Sequence, residues 1–143
     1  MLAVAEADQK GRFNCHIRLR NSYNFMNIVK ILGWVLIVIG VLGFVPGITS
    51  DGMLLGIFEV DAVHSIIHVI TGALLVMMGA NKMVVMVLGI IYLLLGVLGY
   101  VMASPLLGFL NVNGMDNILH LVLGALLLWG AMKMGKGAAP AAM

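Results

Sequence analysis

The chain has 143 residues, of which 62% are hydrophobic and 10% charged, with a formal net charge of +2 and a mean hydropathy of +1.11. A water-soluble domain carries roughly 25% charged residues, so this composition excludes a globule solvated on all sides. Lipid is left as the solvent for most of the surface. The lone Cys15 excludes an internal disulfide and reads as a free thiol without further role.

Residues 1–25 are polar and mixed in charge, and they lack the apolar core of a signal peptide. They read as an N-terminal tail, either disordered or an extension upstream of a natural start at Met26. Residues 26–135 form the membrane domain, and 136–143 read as a flexible C-terminal tail. Four apolar runs, at about 27–46, 62–80, 83–103 and 115–132, each approach the ~20 residues that cross a ~30 Å hydrocarbon core as a helix. The runs are continuous rather than alternating, which favours helices over a barrel.

Charge sets the expected orientation. Lys10, Arg12, Arg18, Arg20 and Lys30 precede or begin the first run, Lys82 lies between the second and third, and Lys133 and Lys136 follow the fourth. Asp51, Glu59, Asp61 and Asp116 fall on the opposite side without any Lys or Arg. This positive-inside pattern predicts both termini in the cytoplasm of a multi-pass inner (plasma) membrane protein. The net positive charge then reflects topology, and no nucleic-acid partner is expected.

The sequence repeats. Gly33, Gly40 and Gly43 match Gly89, Gly96 and Gly99 at an offset of 56, and Leu54–Leu75 matches Leu106–Leu127 at an offset of 52. The second register aligns His68 with His120, Gly72 with Gly124 and His64 with Asp116. The predicted fold is an all-α membrane protein of four transmembrane helices, built as two parallel helical-hairpin repeats at about 27–81 and 83–134. Parallel repeats are related by an axis along the membrane normal. The glycines read as small residues that let helix backbones approach closely.

Ahead of the second and fourth runs, Leu54–Val60 and Leu106–Val112 are apolar but carry Gly56 or Gly108. Each is expected to be a short interfacial helix or turn at the outer surface. Asp61 and Asn113 then stand where an N-cap belongs.

From each cap a polar stripe follows at i, i+3, i+4 and i+7: Asp61, His64, Ser65 and His68, then Asn113, Asp116, Asn117 and His120. Each stripe occupies one helix face. His68 and His120 lie roughly 10 Å along their helices, where a polar side chain facing lipid is costly, so both stripes should face the bundle interior. The favoured reading is a polar network that fixes how the hairpins pack, and no cofactor is expected. Two alternatives are a transition metal held by His64, His68, Asp116 and His120, and a haem ligated by His68 and His120 with room left by Gly72 and Gly124. A proton relay or a small ligand completes the range. No nucleophile constellation, phosphate loop or Cys-based zinc motif is present, so the lean is away from an enzyme.

The stretch from about Met26 to Trp129 resembles a bacterial four-helix integral membrane family catalogued as a domain of unknown function (family 4383). The resemblance rests on Gly40-Val41-Leu42-Gly43-Phe44-Val45-Pro46-Gly47-Ile48-Thr49, on Leu54-Leu55-Gly56-Ile57-Phe58-Glu59-Val60, and on His64-Ser65-Ile66-Ile67-His68 with Gly72. In the second half it rests on Asn113-Gly114-Met115-Asp116-Asn117-Ile118-Leu119-His120 with Gly124. It implies a four-span inner-membrane protein and supplies no activity. The expected function is a non-enzymatic membrane component whose outer-leaflet polar cluster organises the bundle and takes a small ligand or a partner. A metal- or haem-binding redox protein is the alternative. The expected partners are the bilayer and a second copy or another membrane protein.

Overall fold

A computed structural model describes residues 2–102 and 104–134; the expected C-terminal tail, 136–143, lies outside them. Four helices account for most of the chain: α1 (Leu2–Leu42), α2 (Ala62–Met78), α3 (Lys82–Val101) and α4 (Gly114–Lys133). Residues 2–25 run in the same helix as the first apolar stretch. That segment has no proline and is made mostly of ordinary helix formers.

Three segments of 20 residues, Tyr23–Leu42, Lys82–Val101 and Gly114–Lys133, are long and apolar enough to cross a membrane. Helix α2 has 17 residues, or about 26 Å at 1.5 Å per residue, the lower limit for a span. Large apolar side chains face outward along these helices, among them Trp34, Val38, Leu94, Val97, Val122 and Leu126. Exposing such area to water costs about 25 cal/mol per Å2, a cost absent in hydrocarbon. The chain is a membrane protein.

The helices pack as two antiparallel pairs. A Cβ added at Gly72 would stand 2.5 Å from the Gly33 carbonyl oxygen and 2.9 Å from the Ile37 nitrogen, so α1 and α2 touch there through backbone. In the α3–α4 pair, a Cβ at Gly124 would stand 2.8 Å from the Gly89 oxygen and 2.6 Å from the Leu93 nitrogen. Lipid gives helices no hydrophobic reason to associate, so this close van der Waals packing holds each pair. Nearer the chain termini, the Phe25 ring of α1 lies on Gly130 of α4 and meets Trp129 edge-on at 5.9 Å. Val29, Leu75, Val85, Leu88 and Leu127 complete the apolar core below it.

The other end of the bundle carries the long connections and is called the loop end here. Three short strands, β1 (Thr49–Ser50), β2 (Met53–Leu54) and β3 (Phe58–Glu59), form an antiparallel sheet in which Ser50 pairs with Met53 and Leu54 with Phe58. Asp51 and Gly52 join β1 to β2 at φ 52° and 75°. Asp-Gly with both residues at positive φ is the preferred two-residue hairpin connection. Leu54–Val60, expected as an interfacial helix or turn, is therefore a turn flanked by strands. In the second half, Leu106 pairs with Leu110 across a similar turn.

The glycine seams make a direct prediction. Gly72→Ala and Gly124→Ala place a methyl group against backbone that cannot swing away, and each should cost about 1–3 kcal/mol. Gly114→Ala, which meets nothing within 4 Å, should stay within about 1 kcal/mol of wild type. Equilibrium unfolding in mixed micelles measures all three; equal midpoints would refute the seam.

Candidate functional site at the loop end

Helices α2 and α4 begin side by side at the loop end, and each starts with free backbone N–H groups that hydrocarbon cannot satisfy. Asp61 and Asn113 occupy the N-cap positions. One Asp61 oxygen accepts the His64 backbone N–H at 2.8 Å, and the other accepts the Asn111 backbone N–H at 2.8 Å. In α4, Asn113 Oδ1 accepts the N–H groups of Met115 and Asp116 at 2.9 and 3.1 Å. Asp116 completes the capping box: its Oδ2 accepts the Asn113 N–H at 2.9 Å. The same oxygen accepts the Glu59 backbone N–H at 2.9 Å.

Each aspartate thus caps its own helix and also holds the connection that leads into the other. Asn113 Nδ2 adds a donation to the Ile57 carbonyl at 2.8 Å. Hydrogen bonds from backbone N–H to a carboxylate are charge-assisted and stronger than neutral ones. The result is a reciprocal clasp between the two helix pairs, made by carboxylates with backbone amides.

Beneath the clasp lie three histidines. His64, His68 and His120 are only 1%, 3% and 3% exposed, and their ring centroids are 4.5 to 5.9 Å apart. His64 Nδ1 lies 3.0 Å from the Asn111 carbonyl oxygen. A carbonyl only accepts, so Nδ1 carries a proton, and of the two neutral tautomers this bond selects the one whose Nε2 keeps its lone pair. Among the described residues, His64 Nε2, His68 Nε2 and His120 Nδ1 have no hydrogen-bond partner. One nitrogen of each ring lies within 4.8 Å of one nitrogen of both others.

The histidines line a cavity of about 10 Å3, just large enough for one water-sized sphere. Its remaining wall is Tyr92 with apolar side chains that include Leu95, Leu106, Leu110 and Val112. The Tyr92 ring stands 5.5 Å from His120 and 6.4 Å from His68, and its hydroxyl meets Thr71 Oγ1 at 2.6 Å. Thr71 in turn donates to the Ile67 carbonyl at 2.8 Å.

The eight polar positions read from the sequence therefore separate. Asp61, Asn113 and Asp116 form the clasp, and His64, His68 and His120 form the cavity. Ser65 and Asn117 lie in the helix seams, packed against Gly43 and Gly99, where a Cβ would collide with them. Sequence reasoning missed Tyr92 and Thr71, although a tyrosine midway along an apolar run and a threonine three residues past His68 were both visible signals. It also missed the Asn111 and Glu59 amides and the Asn111 carbonyl, because backbone groups leave no mark in residue type.

The family model described as "Domain of unknown function (DUF4383)" matches residues 27–133. No curated protein and no solved structure matches the chain.

Asp116→Ala strands the part-buried Glu59 and Asn113 amides, and Asp61→Ala strands those of Asn111 and His64. A buried unpaired donor costs about 1–3 kcal/mol, so each substitution should lower the unfolding free energy by about 2–4 kcal/mol. The double variant should lose less than the sum, because both serve one contact surface. Additive losses under 1 kcal/mol each would be incompatible with a clasp.

Proposed function

The chain belongs to the DUF4383 family, and we propose that it is a non-enzymatic inner-membrane protein of two parallel hairpin repeats that encloses a site for one small ligand. The observation that carries this reading is the division of the polar cluster. The carboxylates of Asp61 and Asp116 are engaged by backbone amides, in helix caps and between the helix pairs, while one buried imidazole nitrogen on each of three histidines that line a cavity has no partner. An unpaired polar atom in a lipid-embedded core is costly, which speaks for an occupant. A cavity of about 10 Å3 suits an ion or a water-sized molecule. It speaks against a haem macrocycle, since Gly72 and Gly124 are filled by the neighbouring helices.

The repeat reading draws on contacts that recur in the same registers. Gly72 against Gly33 and Ile37 corresponds to Gly124 against Gly89 and Leu93, and Ser65 on Gly43 corresponds to Asn117 on Gly99. In the clasp the amide donors correspond, since Asn111 is the counterpart of Glu59 at an offset of 52, whereas the acceptors differ: Asp61 aligns with Asn113 and Asp116 with His64. The charge asymmetry supports placing the loop end outside and both termini in the cytoplasm, with α2 as the fourth span.

Two measurements test this. With an impermeant thiol reagent on intact cells, Ser50→Cys and Ser104→Cys should label while Cys15 does not; labelling of Cys15 from outside would reverse the orientation. In metal-free protein, His68→Leu and His120→Leu should each leave unfolding within about 1 kcal/mol of wild type, because neither buried, unpartnered ring nitrogen gives up a protein hydrogen bond. Losses as large as those of the aspartate variants would make the histidines part of the scaffold and refute a ligand site.

A further inference from the structure

The occupant can be narrowed by the chemistry of the cavity wall. Its unpartnered donors are nitrogens: Nε2 of His64, Nε2 of His68 and Nδ1 of His120. Calcium and magnesium require several oxygen ligands, whereas the side chains of this wall offer only the Tyr92 hydroxyl, which is engaged by Thr71; imidazole suits zinc, copper, nickel and iron. The Asn111 carbonyl fixes the tautomer and direction of His64, as outer hydrogen bonds do for metal-binding histidines. His64 and His68 stand one helical turn apart on α2, and His120 comes from α4, so an ion here would join the two helix pairs.

On these grounds we propose that His64, His68 and His120 bind one first-row transition-metal ion through three imidazole nitrogens. This deepens the reading of the cluster as a small-ligand site and rests on it. Metal–nitrogen bonds of about 2.0–2.1 Å place tetrahedral donors about 3.4 Å apart. From separations within 4.8 Å, the rings need to close by no more than about 1.4 Å, a change open to side-chain rotation into the cavity.

The fourth position is left to an external ligand. The Tyr92 hydroxyl is engaged by Thr71, and Leu95, Leu106, Leu110 and Val112 offer no donor atom. Three protein ligands with one open position is the arrangement of reactive rather than structural zinc sites. Because the three imidazoles are neutral, a small anion such as hydroxide or chloride is favoured there, reducing the net charge of a divalent ion held among apolar side chains.

The test uses the untagged full-length protein in nanodiscs, stripped of metal and then titrated with Cu2+ and with Co2+. One equivalent should bind, the Cu2+ electron paramagnetic resonance spectrum should show coupling to three nitrogens, and Co2+ should give the intense visible bands of a four-coordinate ion. His68→Leu and His120→Leu should each weaken binding at least about tenfold. Binding below a tenth of an equivalent, coupling to fewer than three nitrogens, or unchanged affinity in both variants would overturn the proposal. The wild-type spectrum decides the matter even if a variant does not fold. Failure to bind metal with both variants folding normally removes the metal and keeps a water-sized ligand site; failure to bind with both variants unfolding removes the two readings together.

Discussion

A helix that starts within reach of a bilayer must hand its first N–H groups to some acceptor, because hydrocarbon offers none. Here the acceptors are Asp61 at the start of α2, and Asn113 and Asp116 at the start of α4. Capping alone would leave the two helix pairs free to slide. Each carboxylate also takes an amide from the connection that leads into the other helix, Asn111 for Asp61 and Glu59 for Asp116. One pair of side chains thereby solves a local hydrogen-bonding problem and a global packing problem, and the histidine cavity exists because those two helix starts are held side by side.

The glycine seams and the clasp act on different scales. Gly33 with Gly72 and Gly89 with Gly124 bring backbones together within each helix pair, through dispersion contacts that lipid does not replace. Between the pairs, the apolar core and the Tyr92–Thr71 hydrogen bond join α2 to α3 midway along the bundle, and further contacts close its two ends. Phe25 on Gly130 closes the end near the termini, and the aspartates close the loop end. The buried histidines occupy the layer below the clasp, roofed by Leu106, Leu110 and Val112. A site of about 10 Å3 has room for small species only, which is why ion-sized ligands fit its geometry better than a cofactor.

Much of this was legible in the residues. Apolar runs marked the helices, the N-cap positions followed from Asp61 and Asn113 standing ahead of apolar periodicity, and the spacing of His64, His68 and His120 placed them on buried faces. The Asp51-Gly52 hairpin was equally visible, because that dipeptide at a two-residue turn is a strong signal, while Leu54–Val60 read equally as a short helix or a turn, and it is a turn flanked by strands. The partners of the carboxylates were not legible: any residue supplies a backbone amide, so Glu59 and Asn111 stand out only once the chains are brought together. For the same reason one polar stripe on each helix concealed three different environments, in the clasp, the cavity and the seams, which depend on the angle each side chain takes from a shared face.

The clasp is tested most directly by amide hydrogen exchange at Glu59 and Asn111, followed by nuclear magnetic resonance of the protein in nanodiscs. Both amides lie in the connections at the loop end and would exchange quickly if only their local turns protected them. The expected result is slow exchange at both in wild type, with Asp116→Ala exposing Glu59 and Asp61→Ala exposing Asn111, each across the helix-pair boundary. Fast exchange at both amides in wild type, or protection that neither substitution removes, would contradict a clasp between the two halves.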